Sequence, residues 1–133
     1  MRDILLDTDV AIDYLRGVPV AVDFVQRHEQ EIALSAVTVA ELFAGVRAGQ
    51  ETTELEEFIR LFPVIPVDLE IAKSAGLHRR DFGPSHGTGL ADGMLAATAD
   101  LHTLGLKTLN TRHYPMFQGL RAPYVRPANR AST

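Results

Sequence analysis

At 133 residues, 46% of them hydrophobic, the chain is long enough for one well-covered core and too short for two. A charged fraction of 23% and a formal net charge of −4 give no support for a polyanion binder held by bulk charge, and the absence of cysteine excludes disulfides and thiolate chemistry. No stretch approaches the roughly 20 apolar residues of a membrane helix, and no basic segment leads into a long apolar one at the N-terminus, so a soluble cytoplasmic protein is expected. The charge is unevenly spread. After Asp100 there is no acid, while Lys107, Arg112, Arg121, Arg126 and Arg130 all follow, a basic segment that is either a solvated surplus or a phosphate-facing patch.

Ile4-Leu5-Leu6 has no polar side and reads as a strand covered on both faces, ending at Asp7-Thr8-Asp9. Thr8 or Asp9 can cap a helix to about Arg16, which Gly17 and Pro19 end. A second helix, Val20 to His28, runs into the charged tract Arg27 to Glu31. Ile32-Ala33-Leu34 is a short strand, and Ser35 caps a helix from Ala36 to Ala48 with Val39, Phe43 and Val46 as its apolar stripe. Glu41 stands outside that stripe, beside Val37, Ala44 and Gly45. It is either a solvent-facing glutamate or a carboxylate on a face of small residues that lets other atoms come close.

Glu51 to Leu61 forms a helix with Leu55, Phe58, Ile59 and Phe62 inward. Pro63 and Pro66 bracket the short strand Val64-Ile65 and place it near a sheet edge, because proline cannot donate to the ladder. Asp68 caps a helix to about Arg80, and Phe82 to Gly89 reads as a loop. Leu90 to about Leu104 is a helix rich in small residues, with Asp92 in its first turn, where the helix dipole alone favours a negative charge by roughly 0.3–1 kcal/mol. Gly105 closes that helix, Lys107 to Asn110 is the next strand, and Pro123-Tyr124-Val125 is a last one; Ala128 to Thr133 reads as a frayed tail.

Strands alternating with helices predict a single domain over residues 1–133, a three-layer α/β/α fold with a mainly parallel sheet of four to five strands. In such a sheet the segments after the strands share one rim, where ligands collect. Asp7 and Asn110 follow strands, Glu41 lies about two turns into a helix that follows one, and Asp92 begins a helix after a loop. Acids brought together there repel unless a cation compensates, and hard oxygen donors point to Mg²⁺ or Mn²⁺ and to metal-assisted phosphoryl hydrolysis.

Four segments carry a resemblance: Leu5-Leu6-Asp7-Thr8, then Ser35 to Leu42, then Ala91 to Ala99, then Thr108-Leu109-Asn110-Thr111-Arg112-His113-Tyr114. Together and in this order they resemble PIN-domain nucleases, most closely the VapC toxins of bacterial toxin–antitoxin pairs. The resemblance implies a Mg²⁺-dependent endoribonuclease that cleaves structured RNA, forms a homodimer and is neutralised by a small cognate antitoxin. It makes Asp7, Glu41 and Asp92 the catalytic, metal-binding acids, with Glu41 acting directly or through water. Many members carry a further acid where this chain has Asn110 and, three residues on, His113. Asn110 can orient water or ligand, His113 can meet a phosphate or position water, and Arg112 can steady the scissile phosphate. Asp9 is expected to cap the first helix, near enough to hold a metal-bound water.

Two other readings remain open on the residues. Paired aspartates after an apolar strand also begin a haloacid dehalogenase-like phosphatase, although that family wants Thr or Val where this chain has Ala11, and neither Lys73 nor Lys107 has a matching context. The other is a catalytically silent binding module of the same fold, its acids capping helices or receiving a partner's arginine.

Overall fold

Pleating sends Ile4 and Leu6 to one face of the first strand and Leu5 to the other, and all three are buried. The structure, a computed structural model, describes residues 2–127. In these, β1 (Ile4–Leu6), β2 (Ile32–Ser35), β3 (Val64–Ile65) and β4 (Gly105–Lys107) form one sheet in the order β3-β2-β1-β4, every pair parallel. Ile4 pairs with Ile32 on one side and Gly105 on the other, so β1 is central.

Ile4, Leu6, Ile32 and Leu34 meet Val10 of α1 (Thr8–Leu15), Phe24 and Val25 of α2 (Pro19–His28), Leu42 of α3 (Ala36–Ala44), and Leu55 and Phe58 of α4 (Gln50–Arg60). On the opposite face Leu5 and Leu106 meet Leu95, Ala96 and Ala99 of α6 (Leu90–Leu101). α5 (Leu69–His86) packs along α6. The three layers expected from the alternation are present, with four strands. Among the described residues no helix is long and apolar enough to cross a membrane.

Several expectations are corrected. The cap of α1 is Asp7, whose Oδ1 accepts the Thr8 N–H at 2.6 Å, and Asp9 sits in the first turn. α3 ends at Ala44, and its buried residues are Thr38 and Leu42; Phe43 is exposed, because the helix is turned so that Thr38 rather than Val39 meets the sheet side. α5 continues through the expected loop to His86 and stops only at Gly87, whose φ of 69° gives the left-handed cap. Pro84 is accommodated within the final turn, and Arg80, whose carbonyl it deprives of a helical donor, is solvent-exposed.

Gly105 begins β4 instead of closing α6, because its N–H donates to the Asp3 carbonyl at 2.8 Å and extends the ladder with β1. The strand therefore ends before Thr108, and Asn110 does not directly follow it. Pro123-Tyr124-Val125 forms no strand; Tyr124 is drawn instead to Asp13 of α1, to which its hydroxyl donates at 2.9 Å. The expected tail, 128–133, lies outside the described residues.

Candidate active site

The carboxyl ends of β1 and β4 lie side by side, so Asp7 and Thr108, the residues that leave these strands, face each other. Thr108 Oγ1 donates to Asp7 Oδ2 at 2.7 Å. Tyr114, held beyond the 3₁₀ turn Thr111–His113, donates its hydroxyl to Asp7 Oδ2 at 3.0 Å and approaches Asp92 Oδ1 at 3.2 Å. Asp92 is fixed at the start of α6, where its Oδ2 accepts the Gly89 N–H at 2.8 Å and lies 3.3 Å from His113 Nδ1. On the other side, Thr8 Oγ1 donates to Glu41 Oε1 at 2.5 Å. One network therefore runs from Glu41 through Thr8, Asp7 and Tyr114 to Asp92 and His113.

Burial, and then the charge of Asp9, push the Asp7 carboxyl up to about 6, against the lowering effect of bonds from Thr108, Thr8 and Tyr114. Asp9 is also raised, chiefly by burial, although its Oδ2 accepts the Leu109 N–H at 2.9 Å and the Arg126 charge opposes the shift. Tyr114 is pushed far up by burial and by the two carboxylates it bridges, so its proton stays on the hydroxyl. Among the described residues no Lys or Arg comes within ion-pair distance of Asp7, Glu41 or Asp92.

This arrangement, an acid leaving the central strand and joined to acids on α3 and α6, agrees with what comparison with known proteins finds. A family model described as PIN domain matches residues 4–115. The chain belongs to the PIN-domain family. This PIN domain is 42% identical over 130 residues to Ribonuclease VapC10 of Mycobacterium tuberculosis, covering 96% of this chain and 97% of that protein. It is 39% identical over 124 residues to Ribonuclease VapC19 of the same organism, covering 90% of this chain and 98% of that one. Among solved structures it resembles a toxin–antitoxin complex from Klebsiella pneumoniae with a TM-score of 0.79 and 26% identity, over 92% of this chain and 98% of that one.

Of the site residues expected in the PIN domain, Asp7, Glu41, Asp92 and His113 enter the network. Asp9 meets it at the edge: its Oδ2 accepts the Leu109 N–H at 2.9 Å, tying α1 to the segment after β4, and lies 3.4 Å from Thr108 Oγ1, the hydroxyl that donates to Asp7. The Asn110 side chain is exposed and makes no hydrogen bond among the described residues, while its N–H donates to Thr108 Oγ1 at 3.0 Å. Arg112 is exposed beside the site. Arg126 is not free for phosphate: it grips the buried Asp13 through Nε at 2.8 Å and Nη2 at 2.9 Å.

Three residues of the network escaped the sequence. Thr8, Thr108 and Tyr114 carry hydroxyls with no spacing signature, although the run Pro115-Met116-Phe117 after Tyr114 signals burial, and a buried tyrosine hydroxyl needs a hydrogen-bond partner. The donor set suits a hard divalent ion, since its oxygens repel without any neighbouring cation. It is not a closed ligand cage: among the described residues no three acids or histidines group tightly enough to hold an ion unaided.

Proposed function

We propose that this PIN domain is a divalent-metal-dependent endoribonuclease acting as the toxin of a toxin–antitoxin pair, with Mg²⁺ as its ion and Mn²⁺ able to substitute. The observation that carries the reading is the hydroxyl-linked network of Asp7, Asp92 and Glu41 at the carboxyl rim of the sheet, uncompensated by Lys or Arg. The ribonuclease relatives and the toxin–antitoxin neighbours support it.

In this reading Asp7 and Asp92 hold the cation, with Glu41 joining directly or through water. Once bound, the ion supplies the Lewis acidity and charge compensation that phosphodiester hydrolysis needs. The chain's own residues prepare the acids. Thr108 and the Thr8 N–H fix the Asp7 carboxylate from both oxygens, Tyr114 sets its relation to Asp92, and Thr8 orients Glu41. His113 meets a phosphate oxygen when protonated or positions water when neutral, Arg112 steadies the scissile phosphate, and Asn110 is free to orient a ligand.

A groove of about 540 Å³ between α1, α3 and α4 has an apolar floor that includes Leu15, Leu42 and Leu55 and a charged wall in which three glutamates, Glu41, Glu51 and Glu54, outnumber Arg16 and Arg47. We assign it to an amphipathic segment of the antitoxin, whose cation would reach Glu41 and shut the site. Val64, Val67, Leu69 and Leu77 leave apolar surface exposed along β3 and α5, and we assign this face to a homodimer. The whole chain acts as one domain, in the cytoplasm, where RNA and antitoxin are made.

The open donor set is what favours the other reading, a silent binding module of the PIN fold. Incubating total RNA with the purified protein and mapping new ends separates the two. Discrete cuts that require Mg²⁺ and disappear with a chelator are expected; intact RNA, with no Mg²⁺ binding by calorimetry, would favour the silent module.

A further inference from the structure

A second cleft adjoins the acids without belonging to them. The last turns of α5 and the Gly87-Thr88-Gly89 link to α6 border an open, shallow cleft of about 570 Å³, with Arg79, Arg80, Gly83, Gly87, Thr88 and Gly89 along it. It is coupled to the acid site through His113. The imidazole turns Nδ1 to Asp92 at 3.3 Å, while its Nε2 would lie 3.6 Å from a Cβ on Gly87. Thr88 Oγ1 donates to the His113 carbonyl at 2.6 Å, and the Gly89 N–H holds Asp92. The cleft and the acids are thus the two sides of one ring.

Its walls carry two arginines and no acid, while the Thr88 hydroxyl and the Gly87 and Gly89 N–H groups are already engaged within the protein, so its capacity for an anion rests on the guanidinium groups. Arg80 is paired with Asp81 at 2.9 Å, whereas Arg79 has no carboxylate within ion-pair distance among the described residues. Gly83 is an otherwise costly residue inside a helix. A Cβ there would stand 3.3 Å from Arg79 Nε and 3.4 Å from the Thr88 carbonyl oxygen, so the Arg79 side chain lies close against the final turn at Gly83, beside the link.

We propose that this cleft is a subsite for the RNA strand on one side of the scissile bond, in which Arg79 binds the phosphodiester next to the one presented to Asp7 and Asp92; the assignment rests on the nuclease reading above. A guanidinium grips phosphate oxygens through paired N–H donors, and such a contact sets the register of the strand without reading its bases. Arg79 is therefore a positioning residue, acting on substrate binding rather than on the bond that breaks.

The test uses Arg79→Gln, Arg79→Lys and the parent on a single-stranded RNA that the parent cleaves in Mg²⁺. For Arg79→Gln, KM rises about tenfold with kcat within about twofold, and the slope of log KM against log salt falls by about 0.7, the value for one phosphate contact on a single strand. Arg79→Lys recovers part of the loss, and thermal stability is unchanged in both. An unchanged KM and salt slope, or a loss confined to kcat, would overturn the subsite while leaving the nuclease reading intact. A parent that cleaves no RNA would overturn both. A variant that changes the oligomeric state in size-exclusion chromatography would assign the cleft to a second copy of the chain and overturn the subsite as well.

Discussion

Asp7 sits where three demands meet: it ends the central strand, caps α1 and carries a charge into a buried place. Its carboxyl titrates near 6 instead of 3.8, a difference of about 3 kcal/mol at 1.36 kcal/mol per pKa unit. The folded chain holds the proton more tightly than the unfolded chain, so the penalty is absent below about pH 4, grows as pH rises through the window to 6, and is constant above it. Asp7→Asn removes the charge while retaining an acceptor for the Thr8 N–H and a donor toward Thr108. In thermal melts it is expected to be at least as stable as the parent at pH 7.5, with the advantage shrinking toward pH 4. A variant clearly less stable at pH 7.5 than at pH 4.5, relative to the parent, would show that the hydrogen bonds outweigh the desolvated charge. Asp7 was legible in the sequence because an apolar run ends in an acid. Tyr114 and Thr108 were not, because a hydroxyl acquires its role only once β4 lies beside β1.

At the scale of elements, helix–sheet alternation and the edge position of β3 were readable from periodicity and from Pro63 and Pro66, whereas boundaries that depend on partners were not. β4 is set by the hydrogen bond of Gly105 to Asp3, a pairing 102 positions apart that local composition does not encode. α5 outlasts the glycine and proline that seemed to end it, since only Gly87 takes the left-handed conformation that stops the helix. The small residues of α6 announced close packing, and Gly93 is its tightest point: a Cβ there would fall 2.6 Å from the Ala75 carbonyl oxygen on α5. That atom is backbone and cannot swing aside. Gly93→Ala should therefore cost about 1–3 kcal/mol of stability, the usual cost of overpacking, read as a lower urea midpoint with the slope m unchanged. A midpoint equal to that of the parent would mean that α5 and α6 are free to separate.

Over the whole molecule, acids gather at the sheet rim while the basic C-terminal segment serves two ends. Arg126 and Tyr124 fasten the chain back to Asp13 on α1, and Arg112 remains exposed near the acids. The sequence displayed this basic surplus but could not divide it, because Asp13, inside an ordinary amphipathic helix, gave no sign of being buried. On the proposed function, the acids act together through a divalent ion. The measurement that tests it most directly is the Mg²⁺ dependence of cleavage of one RNA oligonucleotide by the parent and by Asp7→Asn, each shown to be folded by circular dichroism. The parent should cut with a saturable Mg²⁺ requirement and Asp7→Asn should show no Mg²⁺-dependent cleavage; a folded Asp7→Asn variant as active as the parent would contradict the account.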